Sequence, residues 1–163
     1  MDIPNDNNIE IKVLAALMNT SDAIHIIASV LQPSSFYTND NRLIYVTCIE
    51  LYNASKIPDM SLVAAELKGK VDLITISNIA GEFCDEMVLP DYCRVLKELE
   101  MRRDMLAGIS KMQKAASLEY DIFDLTAEVS SYIDKVGAAP KETIVNTTTL
   151  FKDTFKAIEE AST

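Results

Sequence analysis

Turn-forming residues are scarce in this chain, with four Gly and five Pro among 163 residues. A β-sandwich or barrel needs a turn signal every few residues, so the shortage argues against both and makes an α-helical domain the default. Histidine is nearly absent. The single one, His25, has no second His or Cys at ligand spacing and sits among Ile24, Ile26 and Ile27, which suits a helix-surface or satisfied core residue rather than a metal ligand. Cys48, Cys84 and Cys93 form no CxxC pair, and their odd number suits a reducing compartment. Basic residues are also short, 15 Lys and Arg against 25 Asp and Glu, giving a net charge of −10 and a pI near 4.5. A surface so poor in cations disfavours tight nonspecific binding to nucleic acid. No apolar run approaches the roughly 20 residues that span a bilayer. The start, Met1-Asp2-Ile3-Pro4-Asn5-Asp6, is too acidic and polar for a signal or transit peptide. The expectation is a soluble cytoplasmic protein with no membrane partner.

What remains is ordinary globular material, 48% hydrophobic and 25% charged, enough for one cored domain with an appended hairpin or linker. The charge is unevenly spread. Residues 1–90 hold 5 basic and 12 acidic side chains, residues 91–137 hold 7 and 9, and residues 138–163 hold 3 and 4. From Arg94 to Lys114 six basic residues outnumber three acidic ones. That stretch reads as a solvated helix face with ion pairs, or as a surface for an acidic partner.

Helical spacing begins at Ile9 and runs through Val13, Leu14, Leu17 and Met18, with Asn5 or Asp6 available as N-cap. Ser21 or Asp22 opens a second helix, which Pro33 ends. Asn39 or Asp40 opens a third, from Leu43 to Tyr52, and Asp59 or Ser61 caps a short fourth one bearing Leu62, Val63 and Leu67. Leu73 to Ile79 is β-branched, but its place between helices and before Gly81 favours a short helix. Beyond Pro90 an apolar stripe runs from Tyr92 to Ala116, interrupted at Arg102 and Arg103, which predicts one long helix. Leu118 to Asp121 turns the chain, and a second stripe runs from Ile122 to Val136, so these two helices should form an antiparallel hairpin. Gly137-Ala138-Ala139-Pro140 starts a linker, followed by an amphipathic helix carrying Leu150, Phe151, Phe155 and Ile158. The expected architecture is all-α: a compact orthogonal head over 1–90, a hairpin over 91–137, and a linker with its helix over 138–163.

Catalytic signatures are missing. A phosphate-binding P-loop needs GxxxxGK[ST], whereas the sole Gly-Lys pair, Gly69-Lys70, is followed by Val71 and preceded at the required distance by Ala64. No GxSxG, HExxH, GxGxxG or EF-hand pattern occurs. The acidic pairs Asp85-Glu86 and Glu159-Glu160 are sequence neighbours, not carboxylates converging from one helix face, and read as solvating charge. The chain is not expected to be an enzyme by itself, and no catalytic, cofactor or metal site is assigned.

An ordered series of short features resembles the N-terminal domain of the bacterial replicative DNA helicase, the DnaB family. Pro4, Glu10 and Val13-Leu14-Ala15-Ala16-Leu17-Met18 match the family's opening. Leu31-Gln32-Pro33 with Phe36-Tyr37, then Ile44-Tyr45, then Ile57-Pro58-Asp59 with Leu67 follow in the family's order, and Tyr92-Cys93-Arg94-Val95 with Arg102-Arg103 resembles the start of its hairpin. There are two departures. Arg42 stands where the family usually has His, and Val71 to Phe83 compresses a stretch that usually carries a Gly-Gly and a Tyr-Leu pair.

The resemblance implies a non-catalytic head of an ATP-dependent helicase, one that assembles the ring and interacts with primase during DNA replication. Dimer contacts are expected through the hairpin, within a hexameric ring in the full-length parent, at Leu99, Leu106, Ile109, Met112, Ile122, Val129 and Ile133. Arg102 and Arg103 are candidate partner contacts, the primase C-terminal domain being the implied partner. Leu150, Phe151, Phe155 and Ile158 would dock on a neighbouring ATPase domain. ATP and Mg belong to the parent's motor, and Thr163 falls about where that motor would begin. The alternative is a standalone helical adaptor or helicase-loading regulator with the same fold.

Overall fold

The computed structural model describes residues 3–117 and 122–137, and every regular element among them is helical. The chain divides into two compact units, Met1–Ser110 and Lys111–Thr163. Five helices and a 3-10 turn precede a sixth, long helix. They are α1 (Asn7–Asn19), α2 (Ala23–Val30), the turn Pro33–Ser35, α3 (Asn39–Asn53), α4 (Met60–Leu67), α5 (Leu73–Ala80) and α6 (Leu89–Ser117). In the second unit the described elements are the end of α6 and α7 (Ile122–Gly137).

The helix starts are set by short polar side chains that take up otherwise orphaned amides. Asp6 accepts from the Ile9 amide at 3.1 Å. Asp59 accepts from the Ser61 and Leu62 amides. Asp72 accepts from the Ile74 amide and so starts α5, the short helix predicted there. Asp22 precedes α2 without a side-chain bond, and at α3 the cap is Thr38 instead of Asn39 or Asp40. The Thr38 hydroxyl already receives the Asn41 amide, which lets Asn39 and Asp40 enter the first turn. Between α4 and α5 the chain reverses through Lys68 at φ 52° and Gly69 at φ 78°, two successive left-handed residues. A side chain at 69 would be strained, so glycine is required there.

In the first unit α1 is the central element, packed on α2, α3 and α5, while α3 also packs on α4 and on the 3-10 turn. Val13, Leu14 and Leu17 are at most 2% exposed. Each contributes about 1.5–3 kcal/mol by burial. Phe36, Ile44, Cys48, Ile76 and Ile79 fill the same core, with Phe36 against Tyr45 at a ring separation of 4.8 Å. The boundary expected at residue 90 is crossed by α6, because Leu89, Cys93 and Leu96 belong to this core. The α6 helix is continuous through Arg102 and Arg103, as the stripe predicts. The turn expected at Leu118–Asp121 and the linker with Leu150, Phe151, Phe155 and Ile158 lie outside the described residues. Among the described residues no helix is long and apolar enough to cross a membrane.

Candidate functional site

Two features of the first unit meet on α6: a polar clasp around residues 32–37 and a row of exposed apolar side chains. The clasp starts on α1. Glu10 occupies the apolar face of Val13, Leu14 and Leu17 and is only 1% exposed. A carboxylate so placed must have its oxygens satisfied. One oxygen accepts from the Tyr37 amide and the other from Asn41 Nδ2, both at 2.7 Å, and Asn41 also donates to Asn7 Oδ1 at 3.1 Å.

From α3, Arg42 reaches the same loop, its Nε donating to the Pro33 carbonyl at 3.2 Å and its Nη2 to the Phe36 carbonyl at 3.1 Å. Tyr45 donates to the Leu31 carbonyl at 2.8 Å, and burial holds its phenol above the usual range. From α6, Glu100 accepts from the Ser34 hydroxyl, from the Ser35 hydroxyl at 2.8 Å and from Lys97 Nζ at 2.8 Å. Burial alone would push the Glu100 pKa up. The Lys97 ammonium and the two serine hydroxyls outweigh it and hold the carboxyl below its ordinary value. Arg103, one helical turn on, donates to the carbonyls of Pro4 at 3.0 Å and of Ser34 and Ser35 at 2.8 Å each. Among the described residues no buried side-chain nitrogen or oxygen lacks a partner.

The apolar row is Met101, Met105 and Ile109, exposed by 38%, 45% and 55%. These residues recur every four positions and so share one stripe of α6. Of the residues expected at the self-association surface, Leu99 is half-buried against the core, Leu106 and Met112 are half-buried, Ile109 is exposed, and Val129 on α7 is half-buried. The side chains of Ile122 and Ile133 lie outside what is described. Arg102 pairs with Glu98 on its own helix, both largely exposed. His25 meets the hydroxyl of Tyr52 across 3.3 Å. Among the described residues no group of three His, Cys, Asp or Glu side chains could hold a metal ion.

The family model of the DnaB-like helicase N terminal domain matches residues 2–98. The chain belongs to that family. It is similar to the crystal structure of the N-terminal domain of DnaB helicase from Mycobacterium tuberculosis, with a TM-score of 0.76 and 18% identity over 82% of this chain and 99% of that one. At that identity the likeness shows the shared fold. No protein of curated function matches the chain. In helicases this DnaB-type domain is the non-catalytic part. Glu100 and Arg103 of the present DnaB-like head lie just past the matched stretch.

Sequence reasoning missed the clasp. A signal for Glu10 was present: a lone carboxylate at helical spacing with Val13, Leu14 and Leu17 sits on a face that faces inward. Glu100 has the same signature beside Cys93 and Leu96.

Proposed function

We propose that this DnaB-like head helps assemble the ring of a replicative helicase and receives primase there, with α6 supplying part of the self-association surface. The observation that carries the reading is the exposed Met101, Met105 and Ile109 row on a helix of a domain in this family. Roughly half of each side chain is already covered, so burying the rest is worth about 0.7–1.5 kcal/mol apiece. In a two-fold dimer the row counts twice, about 4–9 kcal/mol, against an association cost of about 4–15 kcal/mol. The row alone thus supports weak pairing. The primase C-terminal domain is the partner proposed for the assembled heads. ATP and Mg act in the parent's ATPase domain, and the acidity of residues 1–90 favours protein over phosphate contacts.

Mass by light scattering, across concentration and with or without the cognate primase C-terminal domain, tests this directly. The wild-type chain should gain mass with concentration and again with primase, and Met105→Glu with Ile109→Glu should stay monomeric. A wild type that remains monomeric at high concentration refutes the assembly role. Unchanged mass on adding primase refutes the partner.

A further inference from the structure

Along α6, Leu89, Cys93, Leu96, Glu100 and Arg103 follow one another at spacings of four, three, four and three, so they share one seam. The first three are core residues. At Glu100 the seam changes from apolar to polar, and the contact with the head changes from one that can slide to one with directed bonds. The two side chains divide the same pair of serines between them. Glu100 takes the hydroxyls of Ser34 and Ser35, and Arg103 takes their carbonyls together with that of Pro4.

The turn they grip is itself immobilised from its far side. Glu10 holds the Tyr37 amide, Arg42 holds the Pro33 and Phe36 carbonyls, and the Ser35 hydroxyl accepts the Gln32 amide at 3.0 Å. A planar guanidinium that donates to three carbonyls from two separate segments is satisfied in only one orientation. We propose that Glu100 and Arg103 are the positioning pair that sets the direction in which α6 leaves the head, and through it the placement of the Met101, Met105 and Ile109 row. This rests on the reading that the row is an assembly surface. The lever is short but sufficient: Ile109 lies six residues beyond Arg103, about 9 Å along the axis, so a swing of about 20° would move it by about 3 Å. A shift of that size takes an apolar side chain out of register with its partner.

The test uses the full chain with Cys84→Ser and spin labels on cysteines placed at Ser77 of α5 and Ser110 of α6, both exposed. Pulsed electron resonance then reports the distance distribution between head and helix, and light scattering reports self-association. The wild type should give one narrow distribution. Arg103→Ala should broaden or split it and weaken self-association about tenfold, the equivalent of one lost apolar side chain at an interface. Arg103→Lys should recover part of both, and Glu100→Gln should broaden the distribution with the head still helical by circular dichroism. Should Arg103→Ala lower thermal stability while leaving the distribution as narrow and in the same place, the pair merely stabilises and the proposal is overturned. The distance readout does not need self-association, so a monomeric wild type would sink the assembly reading and leave the positioning pair to be judged alone.

Discussion

Replacing Glu10 by alanine should be among the most damaging single changes in the head. The wild-type carboxylate is 1% exposed and accepts two bonds of 2.7 Å, one from a backbone amide and one from the Asn41 side chain. Hydrogen bonds to a charged group are worth about 1.5–3 kcal/mol each, and alanine leaves both donors facing a cavity. The expected loss is about 3–5 kcal/mol out of a total stability of about 5–15 kcal/mol. For a head of this size that corresponds to a fall in Tm on the order of 10–20 °C. Glutamine is no conservative choice here. Both carboxylate oxygens are acceptors, so an amide NH2 must face either the Tyr37 N–H or the Asn41 NH2, donor against donor, and the change should cost about 2–3 kcal/mol. Urea denaturation followed by far-UV circular dichroism measures both variants, with Glu98→Ala as the surface control, expected within about 0.5 kcal/mol of wild type. A Glu10→Ala loss below about 1 kcal/mol, or a neutral Glu10→Gln, would show that the buried carboxylate does not hold the 32–37 loop.

Glu100 should give a pH signature. Its folded-state pKa lies below the ordinary carboxylate value, so its contribution is fully present above the unfolded-state pKa and is lost as pH falls through the folded-state one. The stability gap between wild type and Glu100→Gln should be full at pH 7 and narrow as pH falls below the ordinary carboxylate range; a gap that widens in acid would reverse the assignment. Burial pushes the Cys48 and Cys93 thiols up to about 12, whereas Cys84 is half-buried. A disulfide reagent at pH 8 should therefore modify Cys84 first and the other two only on unfolding, and equal rates for all three would contradict the burial. Phe36→Ala removes a fully buried ring stacked near Tyr45 and should cost about 3–5 kcal/mol by the same denaturation assay, a smaller loss meaning that the core collapses around the gap.

Local structure was largely legible in the residues because its causes are local. Asp6, Asp59 and Asp72 cap the helices they precede, and the α5 helix predicted from context has its reason in Asp72 and in Ile76 and Ile79, buried three apart. At α3 the cap is Thr38, although Asn39 and Asp40 beside it are the stronger cap formers by residue type. The clasp was not legible for a different reason: the bonds that Glu10, Glu100 and Arg103 make to its loop and to Pro4 span 27 to 99 residues, and many of their partners are backbone atoms. Arg103 reads from the sequence as a candidate partner contact, because the carbonyls of Pro4, Ser34 and Ser35 that it binds carry no letter that distinguishes them. The exposed α6 row was half-legible. Ile109 was expected at the surface, but Met101 and Met105 fall between the apolar positions of the stripe read from the sequence.

The bond from Arg103 to the carbonyl of Pro4 joins the two ends of the head across 99 residues. Such a contact forms late, because the loop it closes has to be ordered first. On the ribosome the 32–37 turn would emerge long before the helix that locks it, with the Ser34 and Ser35 carbonyls left to water until Arg103 arrives. A fragment cut at residue 98, where the family-model match ends, would keep the α6 core residues Leu89, Cys93 and Leu96 and still lack the lock. The long helix is thus both the arm of this head and the last piece of its fold.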